Sequence, residues 1–362
     1  MFVINNAAGQ SVTMNEIYEE GFNLTADSYL TQSISRIKPD IFGEYLKKIE
    51  SNNGKDCSGE IIPTGIDSLD AILGGGFSEG LYIICANPGM GKTSLMLHIL
   101  NNLALNKRHS LFFSLDMSAI QTTARLAANT SYRFDDLENK TINDISNAKV
   151  IMKDKKIDCS VQELYDRYST AIDPYINILS VHEDPLGKID KSATYIESVE
   201  TAIKNFQQYS KARPVVVIDF LQLLQNKPSS TFRDENDGEI ILKSYDKRLE
   251  MDHIIGVLKD LSKVYHVPII AISSVNRSSY TKSNRYSGDY DISFGKESGN
   301  IEYKADILIL LTSGDGATVF GGPNMERVNL IVFKSRSGKQ YVTIPLDFIP
   351  EYAYFQSVEE GA

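Results

Sequence analysis

From about Ile61 onward, short runs of β-branched and aromatic residues alternate with longer segments in which apolar residues recur every three or four positions. The runs are LYIIC (81–85), LFFSLD (111–116), INILS (176–180), VVVIDF (215–220), VPIIAIS (267–273), ADILILL (305–311), VNLIVF (328–333) and YVTIPLDF (341–348). They are short and rich in residues that fit a pleated surface, so they predict strands. Most are apolar throughout instead of alternating, which is the pattern of strands buried on both faces. The intervening segments then predict helices covering a mostly parallel, twisted sheet on both sides, an α/β architecture.

The part before Ile61 reads differently. Residues 1–38 hold no sustained period and are expected to form an arm or short helical appendage. Starting at Pro39, the apolar residues Ile41, Phe42, Tyr45, Leu46 and Ile49 recur at helical spacing, with proline in the first turn and Asn53-Gly54 as a stop. That predicts an amphipathic helix over 39–52, a polar linker to residue 60, a main domain over 61–350 and a tail over 351–362. Two polar stretches inside the main domain, Asn226–Gly238 and Ser278–Ser293, are expected to be long loops.

Composition narrows the class. With 42% hydrophobic and 23% charged residues in 362, the chain can bury a sizeable core. The formal charge of -10 excludes a surface coated in base, although phosphate contacts need only a local stripe of Lys and Arg. Cys57, Cys85 and Cys159 are scattered, without a C-x-x-C pair, so reduced thiols are expected and zinc is not. No run approaches the roughly 20 apolar residues of a membrane span. The opening MFVINNAAGQ lacks the basic and apolar regions of a signal peptide, so a cytoplasmic location is expected.

The first chemical signal follows LYIIC. Ala86, Asn87, Pro88, Gly89, Met90, Gly91, Lys92 and Thr93 lead into Ser94 and the helical pattern SLMLHILNNLAL, which is a Walker A loop between a strand and a helix. Glycines let backbone N–H groups converge on phosphate, and the helix N-terminus adds its positive end. Lys92 then reaches the β/γ oxygens and Thr93 offers a hydroxyl to Mg²⁺, so ATP and Mg²⁺ are the expected cofactors. Ala86 stands where the general pattern has glycine.

VVVIDF supplies a companion carboxylate. An acid ending a buried apolar strand is costly unless compensated, and a water-bridged Mg²⁺ at the sheet's carboxyl edge compensates it. Asp219 is therefore read as the Walker B acid, the alternative being a cap for the next turn. A hydrolase also needs a carboxylate to orient water near the γ-phosphate. Asp116, expected at the end of its strand, fits that role, but fits equally well as the N-cap of the helix that follows.

Taken in order, IPTGIDSLD, ANPGMGKTS, SLDMS, VIDFLQLL, VPIIAISSVNR, KESGNIEYKAD and FKSRSGK resemble the C-terminal motor domain of DnaB-type replicative helicases, a RecA-like P-loop NTPase. The resemblance runs from about Glu60 to Phe348. It implies an ATP-driven helicase of 5′–3′ type moving along single-stranded DNA as a homo-oligomeric, hexameric ring, with a loader or primase as partner. Asp116 falls on the family's catalytic glutamate and Arg125 on an arginine of the nucleotide pocket. Lys334 and Arg336 match the basic pair that reaches into the neighbouring subunit's site, where it neutralises charge developing on the γ-phosphoryl. Without the resemblance, that pair reads as a solvated strand end.

DNA contacts are implied for two channel-facing segments, 226–248 with Arg233, Lys243 and Arg248, and 294–299 with Lys296, Glu297 and Gly299. Lys296 stands where arginine is usual, and the helix 39–52 stands where the family has a linker helix docking on the adjacent protomer. Two further departures touch the chemistry. Asp116 is shorter than glutamate by one methylene, and Ser274 replaces a glutamine that senses the γ-phosphate. These leave room for a weakly hydrolysing, ring-forming DNA-binding scaffold. The LGGGF stretch (73–77) also resembles the RadA and KaiC relatives of the same fold, which would imply an ATPase without unwinding.

Overall fold

Strands form where the apolar runs stand. The computed structural model describes residues 3–5, 11–13, 60–147, 152–153, 156–180, 194–210, 212–226, 247–274, 301–314, 324–336 and 338–358. The chain divides into two units, Met1–Ser58 and Gly59–Ala362. In the first, β1 (Val3–Asn5) pairs antiparallel with β2 (Ser11–Thr13). The expectation of a helical appendage is thus corrected for these residues, whose Val3, Ile4, Val12 and Thr13 favour extended backbone. The helix expected over 39–52 lies outside the described residues.

The second unit is built on one nine-stranded sheet. Its strands are β3 (Gly80–Ala86), β4 (Ser110–Ser114), β7 (Ile176–Ser180), β8 (Val215–Asp219), β9 (Pro268–Ser274), β10 (Ile307–Ser313), β11 (Glu326–Ser335), β12 (Val342–Ile349) and β13 (Tyr354–Ser357). They lie in the order β13-β12-β11-β10-β3-β9-β8-β4-β7. The six from β10 to β7 are parallel, and β11, β12 and β13 extend them antiparallel. A separate ribbon pairs β5 (Met152–Lys153) with β6 (Lys156–Ile157).

Side-chain alternation explains the two layers of core. On β3, Tyr82, Ile84 and Ala86 join the cluster containing α2 (Lys92–Leu105), α3 (Ala119–Arg133) and α5 (Cys159–Ala171), whereas Leu81, Ile83 and Cys85 join the one containing α6 (Ile196–Ser210) and α7 (Lys247–Val264). A strand with both faces apolar can only be buried twice, so helices cover both sides. The remaining helices are short: α1 (Asp67–Leu73), α4 (Ile142–Ser146) and α8 (Ile301–Lys304). Among the described residues no helix is long and apolar enough to cross a membrane.

Two boundaries differ from expectation. β4 stops at Ser114, so Asp116 lies beyond the strand and not at its end. Tyr354–Ser357, assigned above to the tail, pairs with β12 and closes the sheet's edge, with Phe355 buried. Four residues, two adjacent aromatics followed by two polar residues, are too few for periodicity to mark them.

Candidate nucleotide site

The carboxyl ends of β3, β9, β8 and β4 lie side by side, which is where open parallel sheets place their ligands. β3 runs into Asn87–Gly91, with Gly89 and Gly91 in the left-handed region at φ +81° and +82°. Gly91 caps α2. A Cβ there would sit 2.9 Å from the Phe348 ring, whereas one at Gly89 would meet nothing within 4 Å. Gly91 is therefore required twice, by its backbone and by its neighbour, and Gly89 by its backbone alone.

The cavity at this edge measures about 570 Å³, a size that accepts a nucleotide. Its lining includes Pro88, Gly89, Gly91, Lys92, Thr93 and Ser94 from the loop and helix, together with Asp116, Arg125, Asp219 and Ser274. Residues separated by most of the chain thus meet in one place. Ile142, Phe348 and Pro350 form an apolar part of the wall, with Met117 and Phe220 beside them. None of these five was singled out from sequence, because an apolar residue facing a cavity carries the same hydropathy as one facing the core. Asn87 and Met90 belong to the same loop but not to the cavity wall, and the Asn87 side-chain oxygen is buried without a partner.

Lys92 Nζ donates to the carbonyls of Ala86 at 2.9 Å and Asn87 at 3.0 Å. Burial lowers its pKa from the ordinary value, opposed by the Asp219 charge. Thr93 Oγ1 donates to Asp219 Oδ2 at 2.7 Å. Asp219 is 3% exposed. Burial pushes its carboxyl up to about 6, and nearby Asp116 adds to the rise, while the Thr93 hydrogen bond, Lys92 and Arg125 oppose it. A buried carboxylate beside a hydroxyl is a hard-oxygen pair suited to Mg²⁺, which needs few protein ligands when water and phosphate supply the rest. Among the described residues no cluster of three or more His, Cys, Asp or Glu could hold a metal alone.

The two alternatives for Asp116 separate here. Ser118, not Asp116, caps α3: its hydroxyl accepts from Gln121 N at 3.2 Å, and Gln121 Oε1 accepts from Ser118 N at 3.1 Å. Asp116 is exposed and faces the cavity. Arg125, one turn along α3, donates to the Gln121 carbonyl at 3.4 Å, and its guanidinium is partly desolvated. Buried asparagines fix α3 against α2, with Asn101 Nδ2 donating to Asn129 Oδ1 at 2.8 Å and to the Leu126 carbonyl at 3.1 Å.

Ser274 reaches the cavity from the end of β9. Gln222, just past β8, donates through Nε2 to Ser273 Oγ at 2.9 Å and to the Ser274 carbonyl at 3.4 Å. Its only sequence signal was membership of DFLQLL, which assigned it no task.

Lys334 and Arg336 do not line the cavity of their own chain. In β11, Lys334 pairs with Leu308 and Val332 with Ile309, so Phe333 is the extra residue of a bulge that re-aims the strand's end. Both cations donate to the Tyr303 carbonyl, Lys334 Nζ at 3.2 Å and Arg336 Nη2 at 3.4 Å. Arg233, Lys243, Lys296, Glu297 and Gly299 lie outside the described residues. Arg248 is described only as backbone in α7.

A family model described as the DnaB-like helicase C terminal domain matches residues 61–357. The chain is similar to the replicative DNA helicase DnaB of Geobacillus stearothermophilus, 28% identical over 323 residues that cover 88% of this chain and 62% of that protein. It is also similar to the replicative DNA helicase DnaC of Bacillus subtilis (strain 168), 26% identical over 341 residues, 91% of this chain and 63% of that protein. The chain thus spans about three fifths of the length of these relatives. Among solved structures, an isolated ATPase domain superposes with a TM-score of 0.65 at 22% identity, covering 88% of this chain and 98% of that one. A DnaB-like replicative helicase, described with its interactions with primase, superposes with the same TM-score of 0.65 at 22% identity, covering 95% of this chain and 74% of that one. At such identity these structures establish the fold alone, the mostly parallel α/β sheet described above.

Proposed function

Because the chain belongs to the DnaB-like helicase C-terminal domain family, we propose that it is an ATP-driven translocase on single-stranded DNA. It works as a ring, hexameric as in our reading of the sequence, in the cytoplasm. ATP is hydrolysed where one chain's cavity meets the next chain's Lys334 and Arg336. A loader or primase delivers or uses the ring, and Arg233, Lys243, Arg248, Lys296, Glu297 and Gly299 grip the DNA backbone without reading its sequence.

The observation that carries this reading is the convergence of Lys92, Thr93, Asp116, Arg125 and Asp219 on one cavity that lacks its own Lys334 and Arg336. Binding of the triphosphate requires Lys92 to exchange its two loop carbonyls for phosphate oxygens. Thr93 and, through water, Asp219 would hold Mg²⁺, which when bound neutralises phosphate charge. Asp116 accepts a proton from water placed at the open side of the cavity, and Arg125 offsets the gathering negative charge.

The test is turnover of the full chain over a concentration series, with and without single-stranded DNA, together with unwinding of a forked duplex. Turnover that rises with both DNA and protein concentration, and strand separation, are expected. Stimulated turnover without strand separation would replace the helicase by an ATPase of another kind. Nucleotide-dependent rings without turnover would leave a scaffold.

A further inference from the structure

Arg336 stands at the end of a chain of contacts that begins in the core. Asp306, between α8 and β10, is anchored on its backbone, its N–H donating to the Leu81 carbonyl at 2.9 Å. Its carboxylate accepts from Leu81 N at 2.8 Å and from Lys259 Nζ on α7. The Lys259 and Asp306 side chains are only 11% and 18% exposed. On its outer side the same carboxylate meets Arg336, with Nε 3.5 Å from Oδ1 and the arginine side chain 54% exposed. The Arg336 N–H also donates to the Asp306 carbonyl at 3.2 Å.

The two contacts on Asp306 differ in kind. Lys259 and the Leu81 N–H hold the carboxylate in a nearly dry setting, so Asp306 stays in place whatever Arg336 does. Arg336 is held by one nitrogen at long distance and by the Tyr303 carbonyl, not by the bidentate fork that would consume the guanidinium. Such a grip sets direction without occupying the donors a phosphoryl oxygen needs. It also lets Arg336 move outward without leaving an unpaired buried acid.

We infer that Asp306 is a positioning residue for Arg336, orienting it toward the neighbouring chain's nucleotide, with Lys259 fixing Asp306 in turn. The inference rests on the proposed reading of Arg336 as a residue acting in trans. No part of it involves the chain's own nucleotide cavity, although Asp306 also braces the root of β3, which leads to the phosphate loop.

That second contact defines the experiment. Asp306→Asn should lower DNA-stimulated kcat about tenfold, less than the roughly 100-fold that a 1 Å misplacement can cost, because Arg336 keeps Tyr303. Nucleotide affinity should not change, and Asp306→Glu should recover part of the loss. Subunit mixing then shows which site is impaired. Asp306→Asn mixed with Lys92→Ala should regain turnover, since a sound phosphate loop meets a sound Arg336; mixed with Arg336→Ala it should not. The reverse pattern, or lost nucleotide affinity, would place the defect in the chain's own loop and overturn the inference. If Asp306→Asn does not fold, Asp306→Glu carries the same mixing test, since it keeps the charge for Lys259 while displacing the carboxylate. Normal turnover of Arg336→Ala would instead remove the trans reading itself, a result distinguishable from failure of the Asp306 variants alone.

Discussion

The Thr93 hydroxyl donates to the Asp219 carboxylate at 2.7 Å, joining the first turn of the phosphate-loop helix to the end of a strand 126 residues away. Each group satisfies the other in a place where water is scarce, and each is a ligand of the type Mg²⁺ prefers. The pair thus ties the two sides of the cavity together, at the expense of burying a carboxylate.

That burial has a measurable consequence. The Asp219 carboxyl releases its proton at about 6 in the folded chain against an ordinary 3.8. Between those pH values the folded state holds the extra proton, so this group's contribution to stability falls as pH rises through the window and stays lost above it. The difference corresponds to about 3 kcal/mol. Asp219→Asn should therefore raise the melting temperature of the nucleotide-free protein at pH 7 and have little effect near pH 4. It should also remove the Mg²⁺ dependence of nucleotide binding. Equal melting temperatures at pH 7 would show that burial of Asp219 is not destabilising.

The two loop glycines should fail differently. Gly91→Ala combines a left-handed backbone with a contact of 2.9 Å to Phe348, so a loss of about 2 kcal/mol or more is expected in denaturant unfolding. Gly89→Ala has the same backbone problem but open space around it, and should cost about 1 kcal/mol. Its methyl faces the cavity, so titration with a nucleotide should show the larger share of its defect.

Asp116 is not a helix cap, so replacing it should leave folding untouched. Asp116→Asn should lower turnover by at least about 100-fold with nucleotide affinity retained. Asp116→Glu, which extends the carboxylate into the cavity by one methylene, should raise kcat severalfold. Melting curves and single-turnover rates check both. A destabilised Asp116→Asn protein with normal turnover would reverse the assignment.

Phe355 stacks on Phe348 with ring centroids 4.4 Å apart and planes at 16°, and Phe348 in turn bounds Gly91. Phe355→Ala should cost about 3 kcal/mol, as deletion of a buried ring does. Because the cavity left behind adjoins the nucleotide wall, nucleotide affinity should fall as well. Calorimetry with and without nucleotide separates the two effects.

The strands were legible because a sheet covered on both faces demands continuous apolar runs, and VVVID or PIIAISS leave few other readings. The phosphate loop was legible because its glycines, lysine and threonine answer to local geometry. Asp116 was ambiguous since a cap and a water-orienting acid occupy similar places before a helix. Only the Ser118–Gln121 capping box decides between them. Phe348 and Gln222 were invisible as site residues because their significance lies in what packs beside them. Asp306 was hidden in the same way, its partners lying on β3, on α7 and just past the end of β11. β13 escaped because two aromatics followed by two polar residues are too short a run to show a period.

The edge strand also fixes when the site becomes complete. During synthesis the phosphate loop leaves the ribosome long before Phe355, so the loop exists for most of translation without the ring that backs Phe348. Domains acquire their last long-range contacts only when the whole unit has emerged. A nascent chain ending before Tyr354 carries every phosphate-binding residue and the Phe348 wall itself, yet lacks the ring that backs that wall, so full support of the nucleotide cavity is among the last properties this domain gains.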